Sequence, residues 1–264
     1  MLLSDNVAII TGGARGIGKG IAIKFAEEGC SLVIADILDD EANQFIKELS
    51  ENNREAVYVK CDVSDSRQVT QMVEQTVKKY GKVDILVNNA GMGSHPRSIV
   101  DVTEEEWDKL LTINLKGVFL CCKAVVPYME KRQYGRIINI SSLGGISPPA
   151  PNIDYCTAKA GVIGLTLCLA LELADLNICV NAIAPGPIFT EMWKDLIPDG
   201  TSEEDFLRER GETIPMKRVG HPEDVAGAAL FYASSLSGYV TGDRILVGGG
   251  APLRMRYEFK RKNE

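Results

Sequence analysis

Seven short apolar runs alternating with stretches of helical spacing constrain this chain more than any other feature. Val7–Ile10, Ser31–Ala35, Ala56–Val59, Ile85–Val87, Arg136–Ile140, Ile178–Ile183 and Arg244–Val247 read as strands. Helical spacing is expected over 16–28, where Ile17, Ile21 and Phe25 share a face, and over Asp39–Ser50, Asp65–Tyr80, Thr103–Tyr128, Tyr155–Leu176 and Pro222–Ser234. A strand that is apolar without alternation is buried on both faces, as in a parallel sheet covered by helices on either side. The beat therefore predicts an α/β chain: a single doubly wound domain over 1–264, with a parallel seven-stranded sheet and helices on both faces. It stops at about 191–218, between the sixth strand and the last helix. Thr201 with Glu204, and Ser202 with Asp205, are helix-start signals inside that stretch. An insertion at such a place is expected to form a lid over a substrate.

Composition narrows the classes of function. The 264 residues are 45% hydrophobic and 25% charged, which excludes disorder, collagen-like repeats and a dominant coiled coil. The net charge of −7 is a poor basis for nucleic-acid binding. The start of the chain lacks the basic and apolar regions of a signal peptide, and no uninterrupted apolar run reaches the ~18–20 residues of a membrane span. The seven cysteines are scattered, with no Cys-x-x-Cys pair, and read as reduced thiols of a cytoplasmic protein. With only His95 and His221 as histidines, no metal site is expected.

The first strand runs directly into Thr11-Gly12-Gly13-Ala14-Arg15-Gly16-Ile17-Gly18, and a helix follows. A phosphate approaching a helix N-terminus needs bare backbone N–H groups, and glycine supplies both the close approach and the unusual dihedrals. Gly12, Gly16 and Gly18 at this junction therefore point to a dinucleotide in a Rossmann fold. Asp36, at the end of the second strand, lies 18 residues after Gly18. A carboxylate there accepts from the adenosine ribose hydroxyls and repels a 2′-phosphate, favouring NAD over NADP. Arg15 pulls the other way, because a guanidinium pairs with phosphate.

At this point the sequence resembles the short-chain dehydrogenase/reductase family, from Val7 to about Gly250. The motifs occur in the family's order: the Gly-rich turn, Asn88-Asn89-Ala90-Gly91, Ser142, Tyr155-Cys156-Thr157-Ala158-Lys159, and Pro185-Gly186. Tyr155 follows Ser142 by 13 residues, the family spacing, which favours Ser142 over Ser141. The resemblance implies four catalytic residues. Tyr155 is the acid/base. Lys159, one helical turn on, lowers the phenol pKa and holds the nicotinamide ribose. Ser142 steadies the substrate oxygen, and Asn114 sits in a kink with a proton-relaying water. It also implies that NAD(H) lies against Gly12, Arg15, Gly16, Ile17 and Gly18 at the pyrophosphate, and against Asp36, Asp62, Val63, Asn89 and Gly91 at the adenosine. At the nicotinamide end the implied contacts are Tyr155, Lys159, Pro185, Gly186, Ile188 and Thr190. The chain departs from the family in reading Val247 where an Asp often precedes the last glycines, and in a basic tail at about 251–264. That tail is either a frayed end or an element docking on a neighbouring subunit.

The expected reaction is hydride transfer between NAD(H) and a secondary alcohol or ketone: a hydroxysteroid, a sugar or polyol, or another small alcohol. A 3-oxoacyl-thioester (acyl carrier protein) reductase is the alternative, and a non-catalytic nucleotide sensor is the alternative of another class. A serine hydrolase has no Gly-x-Ser-x-Gly elbow to support it. The pocket is expected from Met92–Arg97, Leu143–Asp154 and the apolar residues Met192, Trp193, Leu196, Ile197, Phe206 and Leu207, with His95 as a further candidate. The resemblance implies a homotetramer or homodimer built on the helices at 103–128 and 155–176, and the second is apolar nearly all round, as a helix buried on many sides is.

Overall fold

The central strands of the sheet alternate their side chains between two cores, and the edge strands are less buried. The structure is a computed structural model that describes residues 1–148, 151–194 and 197–251, without the Met192 side chain. β1 (Val7–Thr11), β2 (Ser31–Asp36), β3 (Ala56–Lys60), β4 (Ile85–Asn88), β5 (Gly135–Ile140), β6 (Ile178–Pro185) and β7 (Arg244–Val247) form one sheet of order β3-β2-β1-β4-β5-β6-β7. Every pairing is parallel. Ala8, Ile10, Leu32, Ile34, Ile85 and Val87 face one core, closed by α1 (Gly16–Glu27), α2 (Asp39–Glu51) and α9 (Pro222–Ala233). Ile9, Val33, Leu86, Ile137 and Val180 face the other, closed by α3 (Ser66–Tyr80), α5 (Gly117–Arg132) and α6 (Ile153–Leu173). Each buried Val, Leu or Ile among them contributes roughly 1.5–3 kcal/mol. This is the Rossmann-like architecture expected from the strand–helix beat.

The stretch expected as one helix over Thr103–Tyr128 is three elements. α4 (Glu104–Leu111) starts on a capping box between Thr103 and Glu106. A wider π-helical turn, Thr112–Lys116, then interrupts the ladder before α5. The turn gathers around Asn114, which is fully buried and spends its amide on the Met92 backbone rather than on its own helix. Periodicity does not register a single extra residue in a turn. Glu104–Arg132 and Ile153–Leu176 are as long and apolar as a membrane span, although no uninterrupted apolar run announces this. Both lay one face on the sheet and leave Phe119, Leu167 and Leu171 exposed on the other.

Where the beat stops, the chain forms α7 (Glu191–Lys194) and α8 (Glu203–Glu212). Of the two helix-start signals, Ser202 acts: its Oγ accepts from Asp205 N at 3.1 Å. Phe206 is buried, meets Trp193 edge-to-face at 6.3 Å and lies under the Arg210 guanidinium. Part of the apolar content of this segment thus packs on its own base. Arg218 grips Asp224 of α9 through two 2.7 Å contacts, which hold the Asp224 carboxyl down at about 2 and pin the segment's far end. Leu196 and the tail from Pro252 onward lie outside the described residues.

Candidate active site

A parallel sheet opens a crevice where its strand order reverses, at the carboxyl ends of β1 and β4. Here that crevice is a cleft of about 480 Å³. Gly12, Arg15, Gly16 and Ile17 line one end. Gly12 and Gly16 have φ of +61° and +55°, a region that favours glycine. A Cβ on Gly12 would stand 2.8 Å from Ala90 Cα, so no side chain fits there. Asn89 fixes the turn by donating from Nδ2 to the Thr11 and Gly12 carbonyls at 3.0 and 2.8 Å. α1 begins with no side-chain cap and no acid in its first turn, whereas α3, α4 and α8 are each capped by a side chain. A bare helix start behind a glycine cradle fits the pyrophosphate of a dinucleotide.

Gly18 does not line this cleft. A Cβ there would fall 2.2 Å from the Gly12 carbonyl oxygen, so this glycine packs α1 against the turn instead of facing a ligand.

Asp36, Asp62, Val63, Asn89 and Gly91 line the middle of the cleft. Asp36 is buried at the tip of β2, where its carboxylate accepts from Ala14 N at 2.9 Å and from Ile37 N at 2.8 Å. Asp62 closes its own turn by accepting from Ser64 N at 2.9 Å. Pro185, Gly186, Ile188 and Thr190 line the far end. Gly186 donates to the Val247 carbonyl, and a Cβ on it would come 2.8 Å from Gly248 Cα, so the first of the closing glycines is matched to Gly186.

Ser142, Tyr155 and Lys159 meet between these ends. Ser142 follows β5 and hydrogen-bonds the Tyr155 phenol. Ser141, its neighbour, is committed elsewhere: its Oγ donates to the Lys159 carbonyl at 2.8 Å. Lys159 donates from Nζ to the Ile140 carbonyl at 2.9 Å and stands 5.8 Å from the centre of the Tyr155 ring. Burial dominates both titrations. It pushes the Tyr155 phenol above its ordinary value, against the hydrogen bond from Ser142, and brings Lys159 down to about 8. The expected lowering of the phenol pKa is corrected in direction: burial sets the shift and raises it. Asn114 stands behind the cleft wall, its Oδ1 accepting from Met92 N and its Nδ2 donating to Met92 O, each at 2.8 Å.

Such a group of residues handles a proton at an oxygen. Ser142 donates a hydrogen bond to a carbonyl or alkoxide oxygen, and Tyr155 gives or takes the proton there. A bound nicotinamide dinucleotide supplies the hydride acceptor or donor at the adjacent carbon. Trp193, Ser94 and Asn152 also line the cleft. The sequence placed Ser94 and Asn152 in pocket-forming stretches and gave them no role, because lone polar loop residues read as turn chemistry. His95 is exposed and outside the lining.

Fold and site together define a dinucleotide-dependent oxidoreductase. A family model described as enoyl-(acyl carrier protein) reductase matches residues 12–252. A 3-oxoacyl-(acyl-carrier-protein) reductase, FabG, of Thermotoga maritima is 42% identical over 95% of this chain and 99% of its own. The (2S)-((R)-hydroxy(phenyl)methyl)succinyl-CoA dehydrogenase subunit BbsD of Thauera aromatica is 41% identical over 96% of this chain and 99% of its own. The crystal structure of levodione reductase superposes with a TM-score of 0.90 at 32% identity, covering 96% of this chain and all of that one. The chain belongs to the short-chain dehydrogenase/reductase family.

Proposed function

We propose that this protein interconverts 3-oxoacyl and 3-hydroxyacyl thioesters with NAD(H). The observation that carries the chemistry is the meeting of Ser142, Tyr155 and Lys159 in the dinucleotide cleft. A phenol, protonated near neutrality, can donate to a ketone oxygen in reduction and take the proton back in oxidation. The thioester class is supported by two relatives whose names carry an acyl-carrier-protein or CoA thioester. It has more support than the hydroxysteroid, sugar or polyol reading. NAD(H) is supported by Asp36, whose carboxylate lines the cleft at the tip of β2 and disfavours a 2′-phosphate.

Asp36 also favours a second reading, an NAD-linked dehydrogenase of a secondary alcohol that is not a thioester. A panel of 3-oxoacyl-CoA thioesters, hydroxysteroids and polyols, followed by nicotinamide absorbance, separates the two. Turnover confined to alcohols without a thioester overturns the first. A nucleotide sensor on the same fold has no use for a reacting phenol, and silence of every substrate class with retained NADH binding is the result that favours it.

For assembly we propose a homotetramer or homodimer. Phe119 on α5, and Leu167 and Leu171 on α6, are exposed, Leu171 at 85%. Light scattering that finds only monomer overturns this. All seven cysteines are free thiols, six of them buried, which supports a reducing, cytoplasmic setting.

A further inference from the structure

The helix that carries Tyr155 is not held at its start by its capping residue. Asn152 occupies the capping position of α6 but caps nothing. Its side chain is turned to the loop after β4, where its Oδ1 lies 2.7 Å from Ser94 Oγ and its Nδ2 donates to the Ser94 carbonyl at 3.0 Å. Asp154, two residues on and 1% exposed, takes over the helix start. Its Oδ1 accepts from Tyr155 N at 2.8 Å and from Ser94 Oγ at 2.7 Å. Its Oδ2 accepts from Arg97 at 3.1 Å. The other arm of Arg97 reaches Glu106 of α4 at 2.8 Å, and the Arg97 N–H donates to the Pro151 carbonyl at 2.9 Å. At its near end the same loop is held by the Met92–Asn114 pair.

We propose that Asp154 is a positioning residue that joins the substrate-side loop 92–98 to the first turn of α6, so that the pocket wall and the proton-donating Tyr155 form one piece. A buried carboxylate with three partners in two elements is costly to leave unpaired from either side. Its neighbour in sequence is the phenol that must meet the substrate oxygen, and displacements near 1 Å cost rate steeply. A plain helix cap needs only the bond to Tyr155 N. The bonds to Ser94 and Arg97 are what tie the loop to the helix. The idea rests on the oxidoreductase reading only for its kinetic consequence, not for the coupling itself.

The test is amide hydrogen exchange on the whole protein, paired with NADH-linked turnover of acetoacetyl-CoA, for the wild type, Ser94→Ala, Asp154→Ala and Asp154→Asn. Ser94→Ala changes nothing on α6, yet it is expected to speed exchange at 153–157 about fivefold, the equivalent of one lost hydrogen bond. Exchange at 12–18 stays unchanged. Asp154→Ala is expected to speed exchange in both 92–98 and 153–157 and to lower kcat about tenfold or more with the NADH Kd unchanged; Asp154→Asn, which keeps an acceptor for Tyr155 N, recovers part of that loss. Wild-type exchange at 153–157 in Ser94→Ala overturns the coupling, and this holds even where Asp154→Ala fails to fold. Absence of turnover in the wild type counts against the thioester reading, while the exchange result still decides the role of Asp154.

Discussion

The two walls of the cleft are held by different means. The nucleotide wall is built from backbone: Gly12, Gly16 and Gly186 stand where a side chain would strain the chain or collide, and Asn89 ties the turn to itself. The substrate wall is built from side chains: Ser94, Asn152, Asp154 and Arg97 bridge two segments far apart in sequence, and Trp193 leans on Phe206. A backbone wall tolerates almost no change, because a clash with a carbonyl has no rotamer to relieve it. A side-chain wall can be rewritten residue by residue while the fold stands, which is how one architecture takes many substrates.

The variant with the largest expected effect probes the point where the walls meet. Tyr155→Phe removes the proton donor and is expected to lower kcat about 1000-fold with the NADH Kd unchanged, as read by steady-state kinetics and fluorescence titration. An unaltered kcat removes Tyr155 from the chemistry.

Lys159 gives a stability test of the same place. Its folded pKa, about 8, lies below the ordinary 10.5, so the folded state loses the proton first. The penalty of a buried ammonium is then full below pH 8 and fades as pH rises toward 10.5. Unfolding free energy is expected to rise across that window by up to about 3 kcal/mol from this group. Chemical denaturation between pH 7 and 10 checks it. Lys159→Met is expected to lack that rise, and an identical rise in the variant assigns it to other groups.

Gly18→Ala sharpens the contrast between the walls. A Cβ 2.2 Å from the Gly12 carbonyl forces the turn to move, and a distortion of about 1–3 kcal/mol expressed in the bound state corresponds to a loss of roughly 5- to 150-fold in dinucleotide affinity. Ser94→Ala, on the opposite wall, is expected to leave that affinity unchanged. Equal losses in both variants erase the division. A smaller effect is expected at Asp36: Asp36→Ala shifts the ratio of kcat/KM for NADH over NADPH toward NADPH by about tenfold. A ratio that does not move means that another group selects the dinucleotide.

What the sequence made legible follows this same division. Gly12, Gly16 and Asp36 could be placed because a phosphate and a ribose demand fixed residue types at fixed spacing. Ser142, Tyr155 and Lys159 came from one spacing and a family resemblance. Gly18 was assigned to the ligand when it serves the packing behind it, since glycine spacing does not say which side of the turn is crowded. The break at Thr112–Lys116 was invisible to periodicity, because its cause is a bond from Asn114 to a residue 22 positions earlier. Asp154 stood in the sequence only as the end of a pocket-forming stretch, because its bonds to Ser94 and Arg97 depend on how two segments meet. The direction of the Tyr155 shift was missed for a related reason: the ammonium is visible in the sequence and the desolvation is not.

One measurement probes both walls at once: kcat/KM for acetoacetyl-CoA reduction, with NADH and NADPH side by side. Expected is turnover with both dinucleotides and at least a tenfold preference for NADH. No thioester turnover, beside NAD-linked oxidation of a hydroxysteroid or polyol, contradicts the reading of the substrate wall, and a preference for NADPH contradicts the role given to Asp36.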